Sequence, residues 1–283
     1  MAYGPVDLRE AEIKRLIATY RAAYRQVIKE ILTATTFGKI QRLSVMRNIK
    51  AILEELGSDV DKWVKQEIPQ YYRDGADGAI RELRRQDIDP TKQVYFSQIH
   101  KEAIAALVEE ITLGFTESIR GVARNASMLL NDAFQMEINQ LIAQGFITGE
   151  DRRIIAGYIK ERLRQQGLNV LIDKSGRKWT FDRYTEMLIR TKAVEARNMG
   201  LGNRIAENGF DLVEVSNHNS DHEACAVWEG KILSFTGRTP GYPTYNSALA
   251  AGLFHPNCQH SINVINKELA NKTKAYDNPY NQP

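Results

Sequence analysis

From residue 6 to about residue 166 the apolar positions of this chain recur at steps of three and four, the period of a helix with one buried face. Ile13, Leu16, Tyr20, Tyr24, Val27 and Ile31 form one such stripe along a helix of some eight turns. A second stripe runs through Ile49, Leu53, Leu56, Val60 and Trp63 and then meets Pro69, where the missing backbone donor predicts a kink or break. Ile104, Leu107, Val108, Ile111 and Phe115 make a third, continuing toward "RNASMLLNDAFQMEINQLIAQG". Long helices with narrow stripes suit bundles or packing against another chain. About 160 helical residues offer more stripe than one compact bundle readily hides, so these helices are expected to dock onto a partner.

The next segment, "TGEDRRIIAGYIKERLRQQG", has helix punctuation, with Thr148 as N-cap, Asp151 three residues on and Gly167 as the stop. Beyond Gly167 the pattern changes. "LNVLI" and "RKWTF" predict two short strands around the turn "DKSG", and Asp182 then caps a helix through Tyr184, Leu188, Ile189 and Met199 that Gly200 ends. "FDLVEVSNH" alternates as a half-buried strand does, with "GKILSF" as its partner. The tail "NKELANKTKAYDNPYNQP" is polar and without period, and predicts an extended segment.

These elements predict an α+β protein. Residues 1–166 form a helical region, residues 167–265 a small domain of short strands around a His/Cys knot, and residues 266–283 an extended tail. With 283 residues and 43% hydrophobic content, the chain can bury one large core or two modest ones. No stretch approaches the roughly 20 apolar residues of a membrane span, and "MAYGPVDLREAEIKR" lacks the apolar block of a signal peptide, so synthesis and maturation in the cytosol are expected. Charge changes the picture only when divided along the chain. Residues 1–50 hold ten Lys/Arg against four Asp/Glu, or +6, which leaves −3 for the remainder of a chain whose net charge is +3. Such a basic arm can contact nucleic-acid phosphates, or be a solvated helix face.

The candidate chemistry is concentrated late. Both cysteines, Cys225 and Cys258, and four of the five histidines, His218, His222, His255 and His260, fall between residues 218 and 260. "HEAC" and "HPNC" repeat one pattern, His222-x-x-Cys225 and His255-x-x-Cys258. Two residues between ligands let a tight turn aim both side chains at one ion, and two such knuckles supply four donors suited to tetrahedral zinc. His218 or His260 can substitute for either histidine. Two alternatives stand beside zinc: a disulfide, or buried cysteines acting as small hydrophobes. A metal-dependent nuclease is a further reading, because Asp221-His222, Asn246 and His255 follow the residue order of His-Asn-His endonucleases. Against it, the region is not basic. Trp228 and Gly230 in "VWEGK" predict the closure of a small core at a glycine turn, and Arg190 and Thr191 in "LIRTKAVEA" are expected to anchor their helix to the knot by hydrogen bonds.

The blocks "IDKSGRKWTFDRYTEMLIRT", "DLVEVSNH", "CAVWEGKILSFTG", "YPTY" and "LFHPNCQHSI", over about residues 165–265, resemble the phage minor capsid protein 2 family, within the wider Mu F-like head morphogenesis group. The helical half matches it in general character. The resemblance implies a non-enzymatic structural protein of the virion, near the portal vertex, assembled in the host cytoplasm. Its partners would be the portal protein, other head proteins and packaged double-stranded DNA, with no membrane. The resemblance carries no catalytic residue. For His222, Cys225, His255, Cys258 and His260 it implies scaffolding, with zinc as the candidate cofactor; His222 stands where relatives carry the first cysteine of a Cys-x-x-Cys knuckle.

Overall fold

A computed structural model describes residues 9–34, 39–90, 96–130, 140, 170–172, 178–256, 258–266 and 268. The described elements run in the order α1 (Glu10–Ala34), α2 (Lys39–Arg85), α3 (Gln98–Leu129), β1 (Val170–Ile172), β2 (Lys178–Thr180), α4 (Phe181–Glu207), β3 (Leu212–Val215), α5 (Glu223–Ala226), β4 (Ile232–Ser234), α6 (Tyr245–Ala250) and β5 (Ile262–Val264). This is the α+β architecture expected: long helices first, then short strands around the His/Cys residues. The helix expected over Thr148 to Gly167, the boundary at residue 166, the turn "DKSG" and nearly all of the tail lie outside the described residues.

The chain forms two compact units that interleave along the sequence. One joins the described residues of 1–10, 65–109 and 187–283; the other joins those of 11–64 and 110–186. In the second, α1 packs with the first half of α2 and the later part of α3. Ile13, Leu16, Tyr20, Val27 and Ile31 of the first stripe are all buried, as are Ile49, Leu53, Leu56, Val60 and Trp63 of the second. Tyr20 meets Phe115 with ring centroids 5.9 Å apart, and the Trp63 Nε1–H donates to the Glu12 carbonyl at 3.2 Å. These two stripes are therefore covered within the chain, and burying each large aliphatic side chain is worth about 1.5–3 kcal/mol. The β1–β2 hairpin is antiparallel, with Leu171 opposite Trp179.

Two expectations are corrected by packing. Of the kink or break expected at Pro69, the break does not occur, since α2 runs on to Arg85. Proline costs the helix about 3 kcal/mol, but Ile68, Tyr71, Tyr72 and Ala76 beside it are fully buried, and together they outweigh the lost bond. Gly200 does not stop α4, which continues to Glu207. It is a packing glycine: a Cβ there would lie 1.9 Å from the Tyr72 carbonyl oxygen of α2, and one on Gly75 of α2 would lie 1.9 Å from that of Arg197. The two helices touch backbone to backbone because each presents a glycine to the other. Asp182 likewise sits inside α4, which begins at Phe181.

The first unit carries a three-stranded antiparallel sheet in the order β4-β3-β5. β3 is central, with Val213 opposite both Leu233 and Val264, so "FDLVEV" and "GKILSF" pair as expected. β5, fully buried, is a strand that the sequence reading did not anticipate. Ala79 and Leu83 of α2, Leu201 and Ile205 of α4, the inner faces of the strands, Trp228 and Cys225 form one core. Trp228 closes it beside Gly230, whose φ of +69° suits glycine, as the sequence suggested. The Val264 N–H donates to the Glu82 carboxylate at 2.5 Å and Gln86 donates to the Val264 carbonyl at 3.1 Å, tying β5 to the end of α2.

Candidate metal centre

Two loops leaving the sheet build the candidate site. After β3 the chain crosses residues 216–222 and makes the single turn of α5; after α6 it turns at Gly252 and Phe254, runs through His255 to His260 and enters β5. Thr244 caps α6, its hydroxyl accepting from the Ser247 N–H at 3.0 Å. Each His-x-x-Cys segment closes as a tight turn. The Cys225 N–H donates to the His222 carbonyl at 2.9 Å, and the Cys258 N–H to the His255 carbonyl at 2.8 Å. The two knuckles thus share one closing hydrogen bond, from the cysteine N–H to the histidine carbonyl.

The knuckles converge. Cys225 Sγ and Cys258 Sγ lie 3.5 Å apart, too far for a disulfide, and both thiols are free. Cys258 Sγ is 3.2 Å from His260 Nδ1. The His222 and His255 rings stack with centroids 3.8 Å apart. Among the described residues two groups bring their ligand atoms within 4.8 Å of one another: His222, Cys225 and His255, and Cys225, Cys258 and His260. Cys225 belongs to both. His260 thus stands with the cysteines as a full member, while His218 is in neither group. The His218 ring lies edge-on to His260 at 5.1 Å and reaches Ser216 Oγ at 2.8 Å.

Glu229, between Trp228 and Gly230, was not singled out from the sequence. Its Oε1 accepts from the backbone N–H of His218 at 2.9 Å and of Ser220 at 3.1 Å, and pairs with His260 Nε2 at 2.8 Å. Burial would raise the Glu229 pKa, but these bonds outweigh it and hold the group below its usual range. Burial likewise opposes a charge on His260, and its contacts with Cys258 and Glu229 reverse that, raising its pKa. Burial, reinforced by Cys258, pushes the Cys225 thiol up to about 12. For Cys258 burial acts the same way, and hydrogen bonding to His260 prevails to lower it. The sequence signal for Glu229 was only its place beside a buried tryptophan and a glycine turn.

A cavity of about 320 Å³ opens next to the cluster, with Thr191, Tyr245, Asn246, Phe254, His255 and Cys258 in its lining. Asn246, the middle residue of the nuclease-like order, is therefore near His255, and Asp221 is exposed. Arg190 pairs through its guanidinium with Glu10, and the Thr191 hydroxyl donates to the Met187 carbonyl at 2.8 Å. No helix among the described residues is long and apolar enough to cross a membrane.

A protein named "Structural protein" from Lactococcus phage LL-H is 28% identical over 116 residues, which is 38% of this chain and 31% of that protein. The match thus spans less than a third of that relative's length. No solved structure matches the chain. The family model for "Phage minor capsid protein 2" matches residues 12–278, taking in the helical half as well as the C-terminal blocks in which the resemblance was first legible. With nearly the whole length matched, the chain belongs to the phage minor capsid protein 2 family.

Proposed function

We propose that the chain is a structural minor component of a tailed-phage head, built in during head assembly and associated with the portal vertex, with the portal protein and other head proteins as its partners. The observation that carries this reading is the family match over residues 12–278, which includes both the helical unit and the His/Cys loops. The His/Cys cluster serves the fold and does no chemistry: Glu229 and the two knuckles join the loop after β3 to the loop before β5.

Because the helical stripes are used internally, contact with partners falls to the outward faces. On α1 the side chains of Lys14, Arg21, Arg25 and Lys29 are exposed and, at steps of seven, four and four, share one face opposite the buried stripe. That basic ridge extends about 22 Å along the helix. It suits an acidic partner surface or packaged DNA, acting mainly on encounter rate and salt dependence.

Phage carrying Lys14→Glu, Arg21→Glu, Arg25→Glu and Lys29→Glu together tests the docking face. The altered protein should fold, lose salt-sensitive co-purification with portal, and be depleted from procapsids. Incorporation at the wild-type level would remove α1 from the docking surface. Absence of the unaltered chain from purified virions by mass spectrometry would overturn the structural role, as would plasmid cleavage with Mg²⁺ that His222→Gln and His255→Gln abolish.

A further inference from the structure

We infer that Cys225, Cys258 and His260 hold one zinc ion, with Glu229 orienting the His260 ring and His255 completing the tetrahedron. The argument begins with the spacing of the atoms. Zinc bonds of about 2.3 Å to sulfur and 2.0–2.1 Å to nitrogen place ligands of a tetrahedron about 3.3–3.8 Å apart. The Sγ–Sγ distance of 3.5 Å and the Sγ–Nδ1 distance of 3.2 Å fall short of the sulfur–sulfur and sulfur–nitrogen edges, about 3.8 and 3.5 Å, by only about 0.3 Å each, so a small outward shift of the side chains would admit the ion. Two thiols and an imidazole nitrogen converging in this way are a soft-to-borderline donor set, which selects zinc over magnesium or calcium.

The second observation is independent of the first and comes from the far side of the ring. His260 presents Nδ1 to the sulfurs while its Nε2 meets Glu229 Oε1 at 2.8 Å. A metal-bound histidine commonly donates its other N–H to a carboxylate, which fixes the tautomer and the ring plane. Glu229 is itself held by two backbone N–H groups, from His218 and Ser220, so the carboxylate is in place before any ion arrives. A hydrogen-bonded pair of thiols alone has no need of this arrangement.

The fourth position falls to the stacked pair of histidines, both of which reach within 4.8 Å of Cys225. His255 is the half-buried member, and its Nδ1 lies 2.9 Å from the Pro256 carbonyl. A carbonyl only accepts, so Nδ1 carries the hydrogen and Nε2 the lone pair that a metal takes. His222 is exposed and stacks outside it. A small rotation of the His255 turn toward Cys258 would close the site.

The full chain, purified under reducing conditions, should contain one equivalent of zinc by elemental analysis. Replacing zinc with Co²⁺ should give near-ultraviolet thiolate-to-cobalt charge transfer and the intense visible bands of a tetrahedral site with two sulfurs and two nitrogens. Glu229→Gln should keep that spectrum while weakening Zn²⁺ binding about 10–100-fold in a chelator competition. His255→Ala should weaken binding and alter the cobalt bands, and His222→Ala should do neither. A metal-free chain that takes up no Co²⁺ would overturn the proposal, as would one whose cysteines are joined in a disulfide in virions. Loss of zinc in His222→Ala with retention in His260→Ala would give the ion to the other group of ligands. Because the cobalt spectrum and the Glu229→Gln competition use folded protein, failure of a ligand variant to fold leaves the test intact.

Discussion

Asp211, at the entrance to β3, offers a measurable test of what holds the sheet to its following loop. Its Oδ1 accepts from the Thr236 N–H at 2.7 Å and hydroxyl at 2.5 Å, and its Oδ2 from the Ser234 hydroxyl at 2.5 Å and the Thr239 N–H and hydroxyl at 3.1 and 2.8 Å. Burial acts to raise the Asp211 pKa, but the bonds from Ser234, Thr236 and Thr239 bring it from 3.8 down to about 2. Taken at face value that difference is about 2.4 kcal/mol, and solvent near the loop reduces it to about 1–2 kcal/mol. The depressed pKa means the unfolded chain binds the proton more tightly. The contribution is therefore complete above about pH 4 and is lost as the pH falls toward 2. Asp211→Asn keeps the shape but turns an amide N–H₂ toward a backbone N–H, that of Thr236 or Thr239, which can only donate, so at least one of the five bonds fails and the others lose the charge of the carboxylate. The expected cost at pH 7 is about 2–4 kcal/mol, or roughly 5–10 °C in Tm. Thermal melts of wild type and variant from pH 2 to pH 7 would show it, with the wild type losing its advantage between pH 4 and pH 2. Equal melting at pH 7, or parallel acid profiles, would refute the reasoning.

Two further outcomes follow from the same unit. Gly200→Ala should destabilise by several kcal/mol in chemical denaturation, because its Cβ meets backbone oxygen at 1.9 Å, whereas helix propensity alone would stabilise by about 1 kcal/mol; the sign decides. His100 is fully buried, with Nδ1 2.8 Å from the Tyr72 hydroxyl and Nε2 2.7 Å from Glu207, so His100→Leu removes one bond from each, while Tyr72 keeps Asn203 and Glu207 keeps Arg204 and Ser97, and should cost about 1–3 kcal/mol. Burial lowers the His100 pKa against the opposing pull of Glu207, so the variant should also lose the part of the wild-type acid sensitivity that begins below about pH 6.5.

How much of this was legible in the sequence depended on whether the deciding interaction was local. The stripes of α1 and α2 and the β3–β4 pairing were readable because period and turn chemistry lie within a few residues of each other. Pro69 and Gly200 misled because their roles are set across space: the first is outweighed by buried neighbours, and the second faces Tyr72, more than a hundred residues away in the chain. β5 escaped because "SINV" is short, fully buried and preceded by the knuckle, so it shows no alternation. The cluster's membership was readable from composition, since nearly every histidine and both cysteines fall in one stretch. Its grouping was not: His260 ranked as a substitute, and it proved to lie 3.2 Å from Cys258 because β5, the unforeseen strand, carries it there.

The residues least visible beforehand share a chemical type. Asp211, Glu229, Glu207 and Glu82 each close a long stretch of chain by accepting hydrogen bonds: Asp211 from the loop after β4, Glu229 from the loop after β3, Glu207 from Arg204 and the Ser97 hydroxyl, and Glu82 from β5. In a sequence a carboxylate reads as a solvated surface group, because nothing local shows which donors it will meet. In a unit assembled from three separated stretches, apolar burial supplies most of the stabilisation but is indifferent to small shifts in register. A carboxylate that must meet two or three N–H and O–H groups at once is not, since a shifted register leaves buried donors unpaired at about 1–3 kcal/mol each. The cluster beside Glu229 adds the same kind of selection at the one place where two loops 33 residues apart must meet. Its sulfurs and nitrogens come from the loop that leaves β3 and the loop that enters β5, so their convergence depends on those two strands lying side by side. The cluster thus discriminates among packings that the hydrophobic core alone would leave close in energy.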